Sequence, residues 1–259
     1  MSLISVIIPA KNEAVNIGAT IDGIRQEFEK HQFDFEIVIV NDGSTDRMEE
    51  VIAEYSQKDP RVRLVRNQPP FGFGHAIKKG LDRFKGDIAI IAMADSSDDP
   101  KDMVKYVEKI REGYDCCFGT RWHKDARVIG YPGFKLVLNR VVNGFINILF
   151  GLKYNDVTNA FKCFSREAVN GIRPVLSRHF NITVELPLKA IVRGYSFAVI
   201  PTHWYNKRKG PSSLRLQEMG SRYLFIIIYV FLERLLCGGD YQKGEIRKRV
   251  KPNEEKPVE

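Results

Sequence analysis

The sequence predicts an α/β fold in which a mainly parallel sheet is flanked by helices on both faces. Between residues 5 and 112, strand-length apolar runs alternate four times with stretches of helical apolar spacing, the pattern of a doubly wound sheet. The runs read as continuously apolar, as strands buried on both faces do. Each ends in a polar loop of Asn, Asp, Ser, Gly or Pro, where such sheets meet water and bind ligands.

The elements follow in order. Ser5-Val6-Ile7-Ile8-Pro9 is a strand, and after the loop Lys11-Asn12-Glu13 apolar residues recur at Ile17, Ile21, Ile24 and Phe28 as on one helix face. Residues 35–40 form the second strand, closed by Asn41-Asp42-Gly43, with Ser44 or Thr45 expected to cap a helix through 51–55. Residues 61–66 alternate basic and apolar side chains like an edge strand, and the Pro- and Gly-containing loop 67–75 leads to a helix over 76–84. Ile88-Ala89-Ile90-Ile91-Ala92 is the fourth strand, Pro100 opens the next helix, and residues 115–119 make a fifth strand. Beyond Gly119 the alternation stops. Residues 121–131 read as a basic loop, 134–149 as a helix, 156–164 as a strand, 166–172 as a short helix and 184–193 as a helix ending at Gly194, while 197–200 lead through Pro201 into a strand and the basic loop 206–213.

The chain has 259 residues, enough for a large core, and a formal charge of +8 spread unevenly. Segments 121–135, 207–215 and 243–251 are basic, whereas 94–100 is acidic; this suits a phosphate-bearing substrate beside a cation site, and equally nucleic acid or an anionic membrane face. The four cysteines lack zinc-ligand spacing and any evident disulfide framework, which favours a reducing compartment. Residues 1–9 do not read as a signal peptide. The strongest membrane candidate is 223–236, whose apolar run is too short to span a bilayer but able to lie on one or to join two subunits. The charged tail from Lys243 is expected to be mobile.

Two constellations carry chemistry. Glu13, Asp42 and Asp95 end different strands of one sheet and are expected to converge, where carboxylates can take hydrogen bonds from a nucleoside and Asp95 can hold a divalent cation against a pyrophosphate. Asp98 or Asp99 can instead cap the following helix. Neither a Walker lysine motif nor a GxGxxG turn follows a strand, and Phe71-Gly72-Phe73-Gly74 is a glycine loop only superficially. The second constellation is basic: Arg121, Lys135, Arg140, Lys207, Arg208 and Lys209. If the acceptor is a monophosphate, its oxygen is already anionic, and cations that orient it replace a general base.

Together SVIIPAKNEAVNI, IVIVNDGSTD, the Asn67…Gly72-x-Gly74-x-Ala76…Gly80 spacing, MADSSDDP, Gly119-Thr120-Arg121 and Gly210-x-Ser212 resemble the inverting nucleotide-sugar glycosyltransferases of family-two type with the GT-A fold, especially the dolichyl-phosphate mannose synthase-like, polyprenyl-phosphate branch. The resemblance covers residues 5–214. It implies that Pro9, Ala10, Asn12 and Glu13 form a nucleotide-contacting loop with Gly74, and that Asp42 reads the nucleoside. Asp95 matches the second acid of the Asp-x-Asp cation motif, whose first acid is Met93 here; Mg²⁺ or Mn²⁺ then leans on Asp95 with Ser97 or Asp98. The acceptor phosphate falls to Arg121, Lys135 and Lys207, with Asn139, Arg208 and Ser212 beside them; lysine stands at 135 and 207 where the family tends to have arginine. Asp156, ahead of Thr158-Asn159-Ala160-Phe161, matches a segment near the sugar, with Asn159 in place of the usual serine. Asp95, Asp156 and Arg121 are the expected catalytic group.

The resulting expectation is a catalytic domain over 1–214, with a donor half (1–119) and an acceptor half (120–214), an apolar helix over 215–238, and a charged tail over 239–259. Such an enzyme moves a sugar from a nucleoside diphosphate sugar, GDP-mannose or UDP-hexose in type, to a dolichyl or undecaprenyl phosphate. It works at the cytoplasmic membrane face, binds no nucleic acid, and can self-associate through 222–236. Transfer to a saccharide hydroxyl in capsule or lipopolysaccharide assembly is the alternative, with Asp156 or Glu185 as general base. An inactive nucleotide-sugar-binding protein is the alternative of another class, motivated by Met93.

Overall fold

A computed structural model describes residues 2–206 and 216–244, the side chains of 216–219 excepted. The first half is β1 (Ile4–Ala10), α1 (Ile17–Lys30), β2 (Phe35–Asn41), α2 (Met48–Lys58), β3 (Val62–Arg66), α3 (Phe73–Arg83), β4 (Ile88–Ile91), α4 (Pro100–Arg111) and β5 (Cys116–Thr120). The second half is β6 (Val128–Ile129), α5 (Gly133–Phe150), β7 (Lys162–Ser165), α6 (Arg166–Gly171), α7 (Ile182–Val192), β8 (Phe197–Pro201), β9 (Trp204–Tyr205) and α8 (Leu216–Leu236).

Seven strands form one sheet in the order β3-β2-β1-β4-β7-β5-β8, and β6 pairs with β9 in a two-stranded ribbon. β1 pairs in parallel with β2 and β4, and β2 with β3, so the first four strands point their carboxyl ends at one edge. Every residue of β1, β2 and β4 is buried, which is why these strands read as largely apolar runs; the exceptions inside them, Ser5 and Glu36, hydrogen-bond to each other at 2.6 Å. Successive side chains serve opposite cores: Val6, Ile37, Ile39 and Ile90 meet α1, α2 and α4, whereas Ile7, Val38, Val40 and Ile91 meet α3, α5, α6, α7 and α8. β3 lies at the sheet edge, as its alternating pattern predicts.

Several local expectations need correction. The predicted strand over 156–164 is confined to Lys162–Ser165 and runs antiparallel between β4 and β5, because residues 156–159 turn instead to hold the site. Ser44 and Thr45 do not cap α2. Asp46 Oδ1 takes the Met48 N–H at 3.2 Å, while Ser44 and Thr45 bond the first loop. The tail is anchored at its start, since Lys243 Nζ meets Asp115 at 2.7 Å and its N–H bonds Arg193 O. α7 stops at Gly194 (φ +78°), as expected.

α8 is built into the domain. Ile226, Ile227 and Val230 join the larger core cluster, and Arg193 of the α7 C-cap forms a buried ion pair with Glu233. The outer faces of α8 and α5 are apolar and open. On α5 the row Phe134, Val137, Val141, Phe145 and Ile148 is exposed, and on α8 Leu224, Phe225, Ile228, Leu232 and Leu235 are exposed. Among the described residues α5 is long and apolar enough to cross a bilayer, whereas 223–236, the stretch singled out from the sequence, was expected only to lie on one. However, Asn143, Ile146 and Phe150 of α5 are buried in the domain, so its other side is committed to the fold.

Candidate active site

A cleft of about 230 Å³ opens where β1, β2 and β4 end, lined by Pro9, Ala10, Lys11, Glu13, Asp42, Met93, Ala94, Asp95 and, from other segments, Phe71, Gly72, Phe73, Ala76 and Phe180. The parallel register puts these loops side by side, with Ala10 opposite Asn41 and Ile7 opposite Ile91. Pro9, Ala10, Glu13, Asp42 and Asp95 are therefore brought together as the sequence predicts. Asn12 and Gly74 support the cleft without lining it. Asn12 (φ +56°) takes the Thr45 N–H on Oδ1 at 2.8 Å and donates its own N–H to Ser44 Oγ at 3.0 Å, tying the first two loops together. Gly74 is buried at the start of α3, and its N–H donates to Arg178 O at 3.1 Å.

Asp42 is buried, and one oxygen, Oδ1, accepts both Asn67 Nδ2 at 2.8 Å and the Gly72 N–H at 3.0 Å. Those bonds fix the carboxylate against the cleft wall and explain why Asn67 and Gly72 accompany it in sequence. Phe73 stacks on Phe180, ring centroids 4.1 Å apart, and Lys11 Nζ stands 5.6 Å from the Phe71 ring centre.

The acidic loop is ordered from within. Asp95 Oδ1 accepts the Ser97 N–H at 3.1 Å across Ser96, which holds φ +57°, and Ser97 O takes the Tyr205 N–H. Asp98 is buried, and its Oδ2 takes the Met93 N–H at 2.9 Å; burial pushes its carboxyl up to about 7, and the Asp95 charge adds to the shift. The helix-capping role falls to Asp99, which accepts the Lys101 N–H. Asp95 thus faces the cleft with Asp98 behind it and Ser97 buried. One carboxylate on the wall and one behind it suit a hard cation that takes its other oxygens from water and a diphosphate. Among the described residues no group of three or more His, Cys, Asp and Glu side chains forms an all-protein metal cage.

On the acceptor side, Arg121 directly follows β5 and closes on Asp156, which is fully buried. Burial works against the guanidinium charge, and Asp156 more than restores it. Asn139 of α5 is also engaged: Oδ1 accepts Trp122 Nε1–H at 3.0 Å and Nδ2 donates to Thr158 Oγ1 at 2.7 Å. Lys135 lies one turn earlier on α5 and is half-buried. Lys207, Arg208 and Ser212, predicted for the same phosphate, lie outside the described residues. Glu185 does not face a substrate: it is fully buried and accepts the Leu176 and Ser177 N–H groups at 2.7 and 2.6 Å while paired with Lys189. It thereby holds the segment that carries Phe180.

With this geometry in place, comparison with known sequences is direct. The profile of glycosyl transferase family 2 matches residues 5–173. The chain belongs to that family. It is 29% identical over 229 residues to glycosyltransferase AglD of Haloferax volcanii, covering 85% of this chain and 36% of AglD. It is 26% identical over 215 residues to polyprenol monophosphomannose synthase of Mycolicibacterium smegmatis, covering 81% of this chain and 80% of that one. The chain spans about a third of AglD and under half of the uncharacterized glycosyltransferase YkcC of Bacillus subtilis. Among solved structures, glucosyl-3-phosphoglycerate synthase from Mycobacterium tuberculosis with Mn²⁺, UDP and glucosyl-3-phosphoglycerate superimposes with a TM-score of 0.66 at 20% identity, over 90% of this chain and 80% of that one. The predicted GT-A fold is the fold observed.

Sequence reasoning missed Phe180, which lies in an irregular segment with no periodic signal. It also missed Asp102 and His203: Asp102, fully buried on α4, takes the His203 N–H at 2.6 Å and so fixes the strand carrying Trp204 beside Asp98.

Proposed function

We propose that this protein transfers a sugar from a nucleoside diphosphate sugar to a polyprenyl phosphate, with inversion at the anomeric carbon. The observation that carries this reading is that, among the described residues, the acceptor side offers a positioned guanidinium while both carboxylates expected as bases are already engaged. Asp156 is sealed beneath Arg121, and Glu185 is sealed beneath residues 176–177. A saccharide hydroxyl must lose its proton during attack and needs a base within reach. A phosphate oxygen needs only orientation and charge screening. That oxygen forms the new bond to the anomeric carbon as the bond from that carbon to the diphosphate oxygen breaks, and the nucleoside diphosphate leaves with the electron pair.

In this reading Asp42 receives hydrogen bonds from the nucleoside, while the walls at Pro9, Lys11 and Phe71 enclose it. Asp95, supported by Asp98 and Ser97, would hold Mg²⁺ or Mn²⁺, which neutralises charge on the departing diphosphate. Solved structures of the mycobacterial synthase with Mn²⁺ or Mg²⁺ and UDP are consistent with such a donor site. Arg121 steers the acceptor phosphate, joined by Lys135 and by the predicted cations Lys207 and Arg208. The mycobacterial relative named polyprenol monophosphomannose synthase supports the lipid class of the acceptor. The open apolar rows of α5 and α8, with Lys135, Arg140 and Arg234 on the same two helices, suit peripheral attachment to an anionic bilayer on the cytoplasmic side, where nucleotide sugars are supplied.

The test incubates purified protein with GDP-mannose, UDP-glucose or UDP-galactose, Mg²⁺ or Mn²⁺, and farnesyl phosphate, and looks for a lipid-linked sugar phosphate. Product with one donor is expected, lost in Asp95→Ala while the protein stays folded. No lipid product with any donor and cation overturns the reading. Co-sedimentation with vesicles containing phosphatidylglycerol tests the membrane face; a soluble dimer that ignores vesicles makes the same face a subunit contact.

A further inference from the structure

Beside the Arg121 clamp stands an aromatic row that neither the donor cleft nor the phosphate contacts require. Trp122 packs edge-to-face on Tyr131 with centroids 5.3 Å apart, and Tyr131 packs on Trp204, again at 5.3 Å. The three rings come from separate segments: the end of β5, the approach to α5, and β9. All three are half-buried rather than enclosed. At one end of the row the Arg121 guanidinium stands 5.6 Å from the Trp122 ring centre and 5.3 Å from that of Tyr131; at the other, the Trp204 backbone pairs with that of Asp98 in the acidic loop. The row therefore lies between the phosphate-steering cation and the loop expected to hold the departing diphosphate.

The row also leads outward. Pro132 follows Tyr131, and the exposed apolar stripe of α5 begins at Phe134 and continues through Val137 and Val141. A phosphate held at Arg121 would carry its first carbons across these rings before reaching the stripe. Flat rings that meet edge to face present a thin apolar wall with polar rims, suited to a narrow branched hydrocarbon chain. A sugar acceptor would instead call for an open ring face, and the Arg121 cation already stands over two of these rings.

We infer that Trp122, Tyr131 and Trp204 form the subsite for the first isoprene units of the acceptor lipid, so that the enzyme selects a polyprenyl phosphate by its proximal hydrocarbon as well as by its phosphate. This rests on the function proposed above. Beyond the units that touch the rings, further chain length contributes little to recognition in detergent solution, because the rest lies along α5.

The experiment measures KM for dimethylallyl, geranyl, farnesyl and undecaprenyl phosphate in detergent. For the wild type, KM falls about tenfold or more for each added unit up to farnesyl phosphate and then flattens, the scale expected for burying several apolar carbons. Tyr131→Ala and Trp204→Ala flatten that dependence and raise KM for farnesyl phosphate by about tenfold or more, with the donor KM unchanged. Tyr131→Phe, which keeps the ring, restores the wild-type dependence. If both alanine variants are folded by circular dichroism and keep the wild-type chain-length dependence, the inference is overturned. The same holds if only the donor KM rises. If the wild type itself makes no lipid-linked product, the proposed function fails first, an outcome distinct from either of these.

Discussion

Arg121 and Asp156 meet through three hydrogen bonds: the Arg121 backbone N–H and Nε reach Oδ2 at 2.9 and 2.8 Å, and Nη2 reaches Oδ1 at 2.8 Å. The backbone bond matters as much as the charges. It anchors the carboxylate to the end of β5, so that the guanidinium is aimed by the sheet rather than by its own flexible stem. Asp156→Ala removes one partner of a buried pair and is expected to destabilise the fold by about 3–5 kcal/mol. Asp156→Asn keeps the shape and one acceptor oxygen. It should unfold nearer the wild-type temperature yet lose about a hundredfold in transfer, the scale of a misplaced reacting group. Thermal unfolding and product formation on both variants check this, and wild-type activity in Asp156→Asn removes Asp156 from the site.

Arg193 and Glu233 form the second buried clamp, with Nε to Oε1 at 2.7 Å and Nη2 to Oε2 at 2.9 Å, while Nη1 donates to Gly171 O and Arg173 O. One residue thus ties α8 to α7 and to the end of α6. Glu233→Ala leaves the buried cation with two carbonyls and no counter-charge and is expected to cost about 3–5 kcal/mol. Because Tyr223 of α8 also donates to Phe180 O at 3.1 Å, the loss should reach the donor cleft. Chemical denaturation gives the stability change. A stability equal to wild type would mean that α8 is merely laid on the domain.

Gly74 has no room for a side chain. A Cβ there would lie 2.6 Å from Arg178 C, 2.7 Å from Ser177 O and 2.8 Å from His179 N, all backbone atoms. Gly74→Ala must displace the segment that carries Phe180, and is expected to cost about 1–3 kcal/mol and to weaken donor binding. Gly144, on α5, has open space around it, so Gly144→Ala should stabilise by up to about 1 kcal/mol through helix propensity alone. Denaturation curves with and without nucleotide sugar distinguish the pair, and equal effects at the two positions would contradict the packing argument.

Much of this was legible in the sequence because the donor half is written in local signals. Largely apolar runs mark strands buried on both faces, and the polar residues after Ala10, Val40 and Ala94 mark their shared edge, so Glu13, Asp42 and Asp95 could be placed together from the sequence. The acceptor half was read less well. Asp156 and Arg121 are 35 positions apart and meet only because β7 enters the sheet antiparallel, which no periodicity announces. Glu185 stood as an alternative general base because sequence cannot show that two backbone amides and Lys189 consume it. The open apolar surface was assigned to 223–236 alone. On α5 the apolar residues surround Asn139 and Asn143, and only packing shows that those asparagines face Thr158 while the apolar row faces out.

Lys162 makes the last prediction, because it is a cation with almost no water. It is 1% exposed, its Nζ donates to Val157 O at 3.0 Å and to Asn159 O, and it stands beside the stacked rings of Phe118 and Tyr154, 5.9 Å from each ring centre. Burial lowers its pKa from 10.5 to about 7, against the pull of Asp156. The unfolded chain therefore binds more protons at this residue between pH 7 and 10.5, and stability from this group must rise with pH across that window. Below pH 7 both states are protonated and the burial penalty is fully present. The buried thiol of Cys117, pushed up to about 12, acts in the opposite direction above pH 9, and Asp98, at about 7, does so near neutrality, so the Lys162 contribution over pH 7 to 8.5 is read as the difference from a variant lacking only that group. Over that interval the melting temperature of the wild type should climb more steeply than that of Lys162→Met, which lacks the titrating group. Parallel curves for the two proteins would mean that Lys162 keeps its proton throughout, held by the two carbonyls and Asp156.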